Sequence, residues 1–102
     1  MTREEAISAL EKCRVEIDEL DLRILALLNL RAGIVERIGH IKQSAEMPIY
    51  EPKREDQVFD NVTSHNGGPL GPDAVKRVFE RIIDEMRKVQ RDQMEADKKQ
   101  CS

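Results

Sequence analysis

Four charged side chains interrupt an otherwise aliphatic stripe in the first 44 residues of the chain. Counted in alternating steps of three and four, the stripe carries Arg14, Asp21, Arg31 and Lys42 among leucines, isoleucines and a valine. Arg31 and Lys42 lie 11 residues apart in the sequence. On a helix this is about three turns, so both cations lie on nearly the same side, roughly 16 Å apart at the backbone. Two long cationic side chains at this spacing are able to bind one small anion.

Arg14 cannot join that pair on the same straight helix. It precedes Arg31 by 17 residues, which corresponds to about 25 Å of helix. If Arg14 binds the same kind of anion, it does so in the site of a second copy of the chain.

A purely structural interpretation of Arg31 also stays open. One polar residue in a helical seam can set register and oligomeric state, and a long cation can extend to water. Several buried cations without partners would cost several kcal/mol each, whereas a bound dianion would compensate them. The cluster as a whole therefore favours an anion site.

Three further polar residues are candidates for such a site. Arg54 and Glu55 begin a later helix, where they could equally form an ordinary solvated first turn. Gln90 falls on an apolar stripe, and a buried amide there needs a hydrogen-bonding partner, unless it lies beyond the packed part. His40 and Glu36 have helical i, i+4 spacing, but two ligands without a third predict an exposed polar pair rather than a metal site.

The elements that carry these residues are three helices. The first is predicted from Thr2 to Ser44, because the 3.6-residue pattern is uninterrupted and Thr2 with Glu5 has capping-box spacing. Residues 45–52 form a proline-containing loop, and the second helix is predicted from Pro52 to Ser64. The third begins at Pro72, after the turn at residues 66–72. It is expected to bury Val75, Val78, Phe79, Ile82, Ile83, Met86 and Val89.

Composition agrees with an all-α class. Of the 102 residues, 36% are charged and only 3% aromatic, with no tryptophan. The chain is predicted to be a single domain, residues 1–102, with a core at about 7–90 and a charged tail at 91–102 that frays. A first helix of about 60 Å is longer than the rest of so small a chain can cover, so a second chain is expected to cover it.

Charge and apolar pattern exclude several classes of partner. The net charge of −3 and the scarcity of aromatics argue against a nucleic-acid binder. No segment has the roughly 18 apolar residues of a membrane span, and no leader precedes the first helix, which predicts a cytoplasmic protein.

Cys13 and Cys101 lie in different surroundings and are predicted to be free thiols. Gly33 and Gly39 each cost the helix about 1 kcal/mol, which suggests a close approach there.

In combination, the motifs resemble those of the all-helical chorismate mutases of the small bacterial type. The resemblance covers about residues 7–90. Its motifs are Arg14, L-D at 20–21, L-x-x-R at 28–31, G-x-x-K at 39–42, P-x-x-E-x-x-R-E at 48–55, and F-x-x-I-I at 79–83 followed by Gln90.

The resemblance implies an intertwined homodimer that converts chorismate to prephenate by an intramolecular Claisen rearrangement, a step toward phenylalanine and tyrosine. It implies no cofactor, metal or covalent intermediate. Arg31, Arg54 and Arg14 of the second chain would hold the two carboxylates of the substrate. Lys42 and Gln90 would donate to the ether oxygen.

The resemblance also assigns the substrate's ring hydroxyl to two carboxylate positions. Glu55 would accept this hydroxyl, and Glu51 would contribute near it. Glu51 stands where the family commonly has Asp, and Met86 stands where some members have a small hydroxyl residue. Asp21 is interpreted as structural.

Two alternatives remain at this point. An isochorismate-pyruvate lyase shares the fold, but Glu55 directly after Arg54 favours the mutase. A non-catalytic helical dimerisation module would need neither Lys42 nor Gln90.

Overall fold

The computed structural model, which describes residues 1–100, consists of three α-helices. They are α1 (Arg3–Ser44), α2 (Pro52–Ser64) and α3 (Pro72–Gln100). The predicted all-α class is confirmed, and the predicted starts of α2 and α3 at prolines agree with the observed ones. At the start of α1, the backbone N–H of Glu5 donates to Thr2 Oγ1 at 3.1 Å, so the predicted cap is present.

The C-terminus of α1 is closed by a Schellman motif. Glu46 adopts a left-handed φ of 57°, a conformation that glycine more often provides. The N–H of Met47 donates to the carbonyl of Lys42 at 2.7 Å, and the N–H of Glu46 donates to Gln43 O at 3.3 Å. These bonds end the helix and direct the following loop back along its last turn.

The chain divides into two units, and α1 contributes to both. The first unit is Met1–Gly33. Its large apolar side chains are mostly exposed, by 49% to 68% for Ile7, Leu10, Val15, Ile17, Leu20, Leu22, Ile24, Leu25, Leu27 and Leu30. Within a single chain, this unit has no core of its own.

The second unit begins at Ile34 and contains the core. Val35 of α1 is buried there, together with Val75, Ile83 and Met86 of α3. Half-buried side chains complete the core: Val58, Phe59 and Val62 of α2, and Phe79, Ile82 and Val89 of α3. The prediction that Val78 is buried was wrong, because Val78 lies at the edge of the α3 stripe and is 50% exposed.

The polar tail after Gln90, which was expected to fray, is helical as far as Gln100. Cys13 is a free and exposed thiol, as predicted, whereas Cys101 lies outside the described residues. None of the helices in residues 1–100 has the combination of length and apolar character that crossing a membrane requires.

Candidate active site

Lys42 is a buried cation in the last turn of α1. Its residue is only 7% exposed. Its Nζ forms an ion pair with Glu51 Oε1 at 2.6 Å and donates to Ile49 O at 3.0 Å. Because an ammonium group has three N–H donors, these two contacts leave one donor for a ligand.

The loop that holds Lys42 also begins α2. Glu51 is the N-cap residue of α2, and its carbonyl accepts the N–H groups of Arg54 and Glu55 at 3.1 and 3.2 Å. The side chain of Glu51 makes no capping hydrogen bond and instead pairs with Lys42. The short sequence from Lys42 to Glu55 thus brings one cation and one carboxylate of the predicted site into contact.

The side chain of Arg54 lies along its own helix, α2. It is exposed, and its Nη1 donates to Gln57 Oε1 of the same helix at 3.4 Å. This is the solvated first-turn arrangement that the sequence left open.

Glu55 is paired with a residue that sequence reasoning missed. Its Oε1 accepts a hydrogen bond from Arg87 Nη2 at 3.2 Å, and the two side chains are 21% and 30% exposed. The same Nη2 donates to Asp84 Oδ1 at 2.7 Å, and the guanidinium Cζ lies 5.8 Å from the centroid of the Tyr50 ring. The sequence did contain a signal for Arg87: it precedes Gln90 by one helical turn, so the two residues lie on the same side of α3.

Gln90 is buried on α3, so it lies within the packed part of the helix rather than beyond it. It is 8% exposed, and its Oε1 has no hydrogen-bond partner within residues 1–100. A Cβ at Gly39 would be in ordinary contact with Gln90 Cγ, at 3.6 Å, and would collide with Gln93 Oε1, so glycine allows α1 to approach the Gln93 side chain of α3. A buried amide oxygen without a partner is a candidate acceptor for a ligand, and the amide N–H groups of the same side chain are candidate donors.

A second polar cluster joins the end of α1 to the end of α3. His40 Nδ1 lies 2.9 Å from Asp97 Oδ2 and 2.9 Å from Gln93 Nε2, and Gln93 also contacts Asp97. His40 thus has a partner on α3, whereas the sequence suggested Glu36. Within the described part of the chain, no three His, Cys, Asp or Glu residues are grouped so that they could hold a metal ion.

The other two predicted cations belong to the first unit. Arg14 is exposed and Arg31 is half-buried. The second unit contains the other predicted site residues, Lys42, Glu51, Arg54, Glu55 and Gln90. Charged donors, an amide and carboxylates of this kind can bind a small, oxygen-rich anion by hydrogen bonds.

A family model described as "Chorismate mutase type II" matches residues 13–91. Among curated relatives, the chain is 40% identical over 78 residues to a bifunctional chorismate mutase/prephenate dehydratase of Aquifex aeolicus. That match covers 72% of this chain and 22% of the relative. The chain thus spans about a fifth of the length of the first curated relatives that it matches.

Proteins of similar size also match. A chorismate mutase of Methanocaldococcus jannaschii is 27% identical over 93 residues, which cover 87% of this chain and 91% of the relative. Among solved structures, the chorismate mutase from Helicobacter pylori in complex with prephenate superposes with a TM-score of 0.81 at 33% identity. That superposition covers 86% of this chain and 96% of the other.

Proposed function

The chain belongs to the chorismate mutase type II family, and from this premise we propose that it catalyses the rearrangement of chorismate to prephenate. The observation that carries the proposal is Lys42, a buried cation held by Glu51 and Ile49 O with one N–H donor unused. A buried donor held in a fixed orientation is suited to stabilising an oxygen that becomes negative in the transition state.

Catalysis of this rearrangement requires a correctly positioned substrate and charged groups around it, and it requires no nucleophile. Bonds form and break within one molecule, so the enzyme accelerates it by holding the compact reactive conformer and by stabilising the charge that develops as the ether bond lengthens. Lys42 and Gln90 would donate to that ether oxygen. An amide at Gln90 donates at any pH, whereas a carboxyl group there would have to be protonated.

The two carboxylates of the substrate would be held by arginines. We assign this role to Arg31 and Arg54 of one chain and to Arg14 of a second chain, because the forked guanidinium donors match the geometry of carboxylates. Arg54 would have to leave its hydrogen bond with Gln57, which costs little because both groups are exposed.

The hydroxyl of the substrate ring would be bound by carboxylates at the start of α2. Glu55 would accept it, and Glu51 would contribute near it. Glu51 is longer than the familiar Asp at this position, and this reach allows its contact with Lys42. Met86 is buried in the core, and its thioether has no O–H to donate, so it cannot replace the hydroxyl that some relatives have there.

A homodimer forms part of the proposal. The exposed apolar side chains of the first unit, such as Leu20 and Leu27 at 49% and 64%, would be covered by a second copy of the chain. Burial of apolar surface contributes about 25 cal/mol per Å². We also propose a cytoplasmic location, since the free thiol of Cys13 suits a reducing compartment.

The test is incubation of the purified protein with chorismate while its ultraviolet absorbance is followed and the product is identified. Loss of chorismate with formation of prephenate is the expected result. Stoichiometric pyruvate would instead identify a lyase, and unchanged chorismate would leave only a non-catalytic dimerisation module. Lys88→Ala is a suitable control variant, because Lys88 is 58% exposed and forms an ion pair with Glu85 of its own helix.

A further inference from the structure

Arg87 connects three parts of the second unit. Its Nη2 donates to Glu55 of α2 at 3.2 Å and to Asp84 of α3 at 2.7 Å, and its guanidinium lies against the ring of Tyr50 in the preceding loop. Its Nε is buried and has no hydrogen-bond partner within residues 1–100. A guanidinium held from three sides has little rotational freedom.

The hydrogen bond from Arg87 uses one of the two oxygens of the Glu55 carboxylate. Oε1 accepts the hydrogen bond from Arg87. The hydrogen bond from Arg87 does not use Oε2. A carboxylate has lone pairs on both oxygens, so binding Arg87 at one leaves the other able to accept a hydroxyl hydrogen bond.

Arg87 is the cation paired with Glu55 at 3.2 Å, and it is itself held by Asp84. Asp84 is 52% exposed and anchors Nη2 from the α3 side. Lys42 is paired with Glu51 instead, and Arg54 with Gln57. Without Arg87, the Glu55 side chain would retain several rotamers around its three torsions.

We propose that Arg87 is a positioning residue: it holds Glu55 so that Oε2 faces the ring hydroxyl of the bound substrate. This inference rests on the proposed function, in which Glu55 accepts that hydroxyl. The hydroxyl is present in both the substrate and the transition state. An interaction made equally in both states affects KM more than kcat.

The test begins with the steady-state kinetics of Arg87→Gln on chorismate. We expect KM to rise about tenfold, within the range of coupling between residues in contact, and kcat to change by less than about twofold. Arg87→Met, which keeps the packing of the stem, should behave in the same way and serves if the glutamine variant does not fold. The KM of Arg87→Lys should be closer to that of the wild type, because an ammonium group can still donate to Glu55.

The control is Arg81→Gln on the same helix. Arg81 is 73% exposed and pairs with Glu85 one turn further along. Its loss should leave KM unchanged.

A double-mutant cycle separates positioning from a merely structural role. In a Glu55→Gln background, Arg87→Gln should change KM by less than about twofold, because the carboxylate that it positions is gone. A purely structural role would give the same change in both backgrounds, together with a lower melting temperature.

Three results would overturn the inference while leaving the proposed function intact, provided that the wild type forms prephenate. They are a wild-type KM in Arg87→Gln, an undiminished effect in the Glu55→Gln background, or a lysine variant no better than the glutamine one. A wild-type protein that leaves chorismate unchanged would instead overturn the proposed function itself.

Discussion

The two units of the chain carry the same kind of apolar pattern but bury it to different degrees. In the first unit, Ile17 and Ile24 are 55% and 53% exposed, whereas Val35 and Ile83 in the second unit are each only 7% exposed. The stripe of α1 crosses from one unit to the other without a change in spacing. Periodicity therefore identifies an apolar face, and the packing partner decides whether that face is covered.

The polar groups show the same contrast. Lys42 and Gln90 of the second unit are buried at 7% and 8% exposure, and Lys42 is paired within its own chain. Arg14 of the first unit is exposed. We propose that one chain forms a large share of the site and that Arg14 of a second copy completes it.

The largest expected effect concerns the buried donors of the second unit. Lys42→Ala and Gln90→Ala should each lower kcat by about 10²–10³, the usual cost of removing one transition-state donor. Chorismate consumption measures the loss, and circular dichroism checks that the helices persist. Activity within a few fold of the wild type would show that the second unit does not carry the chemistry.

The next effect tests whether the first unit serves a second chain. An inactive Arg14→Ala chain mixed with an inactive Lys42→Ala chain should recover about a quarter of wild-type activity. Random pairing makes half of the dimers mixed, and each mixed dimer has one intact site of two. Mixed dimers that demonstrably form and remain inactive would exclude the donation of Arg14 across the interface.

A smaller effect is expected on the free energy of unfolding when one isoleucine from each unit is replaced by alanine. Ile83→Ala should destabilise the protein by about 2–5 kcal/mol, because its side chain is buried within the chain. Ile24→Ala should cost a similar amount if a second chain covers Ile24, but less than about 0.5 kcal/mol if the residue stays exposed. Denaturant unfolding at several protein concentrations measures both, and a dimer predicts a midpoint that depends on concentration.

The smallest effect compares the two glycines of α1. A Cβ at Gly39 would collide with Gln93 Oε1, whereas a Cβ at Gly33 meets nothing within 4 Å in the chain. Gly33→Ala should therefore stabilise an isolated chain by up to about 1 kcal/mol. Gly39→Ala should stabilise the chain less than Gly33→Ala does, because the Gln93 side chain must move to make room for the new Cβ. Destabilisation by Gly33→Ala would indicate a second backbone packed against it, and equal gains at both positions would contradict the close approach at Gly39.

Local signals in the sequence predicted the helices well. Thr2 caps α1, and Pro52 and Pro72 begin the next two helices, because each signal acts on backbone groups within one turn. The apolar stripes alone did not decide which polar residues are buried, because Lys42 is buried whereas Arg14 on the same stripe is exposed.

Contacts between distant residues could not be predicted in the same way. Glu55 and Arg87 are 32 residues apart. His40 meets Gln93, which lies 53 residues further along the chain, and Asp97, rather than Glu36 on its own helix. Such pairs depend on how α1 and α2 pack on α3, which helical periodicity does not specify. For the same reason, the exposure of Val78 at the edge of its stripe was not foreseen.

The way Lys42 is held has a consequence for the order in which the protein folds. Its carbonyl accepts the Met47 N–H, and its ammonium donates to Ile49 O only seven residues ahead. Loops of about ten residues close in roughly 10–100 ns, whereas the pairing of Glu55 with Arg87 must wait for α2 and α3 to meet. In a newly synthesised chain, we therefore expect the cation to be in place early, with the slower parts of the site assembling around it.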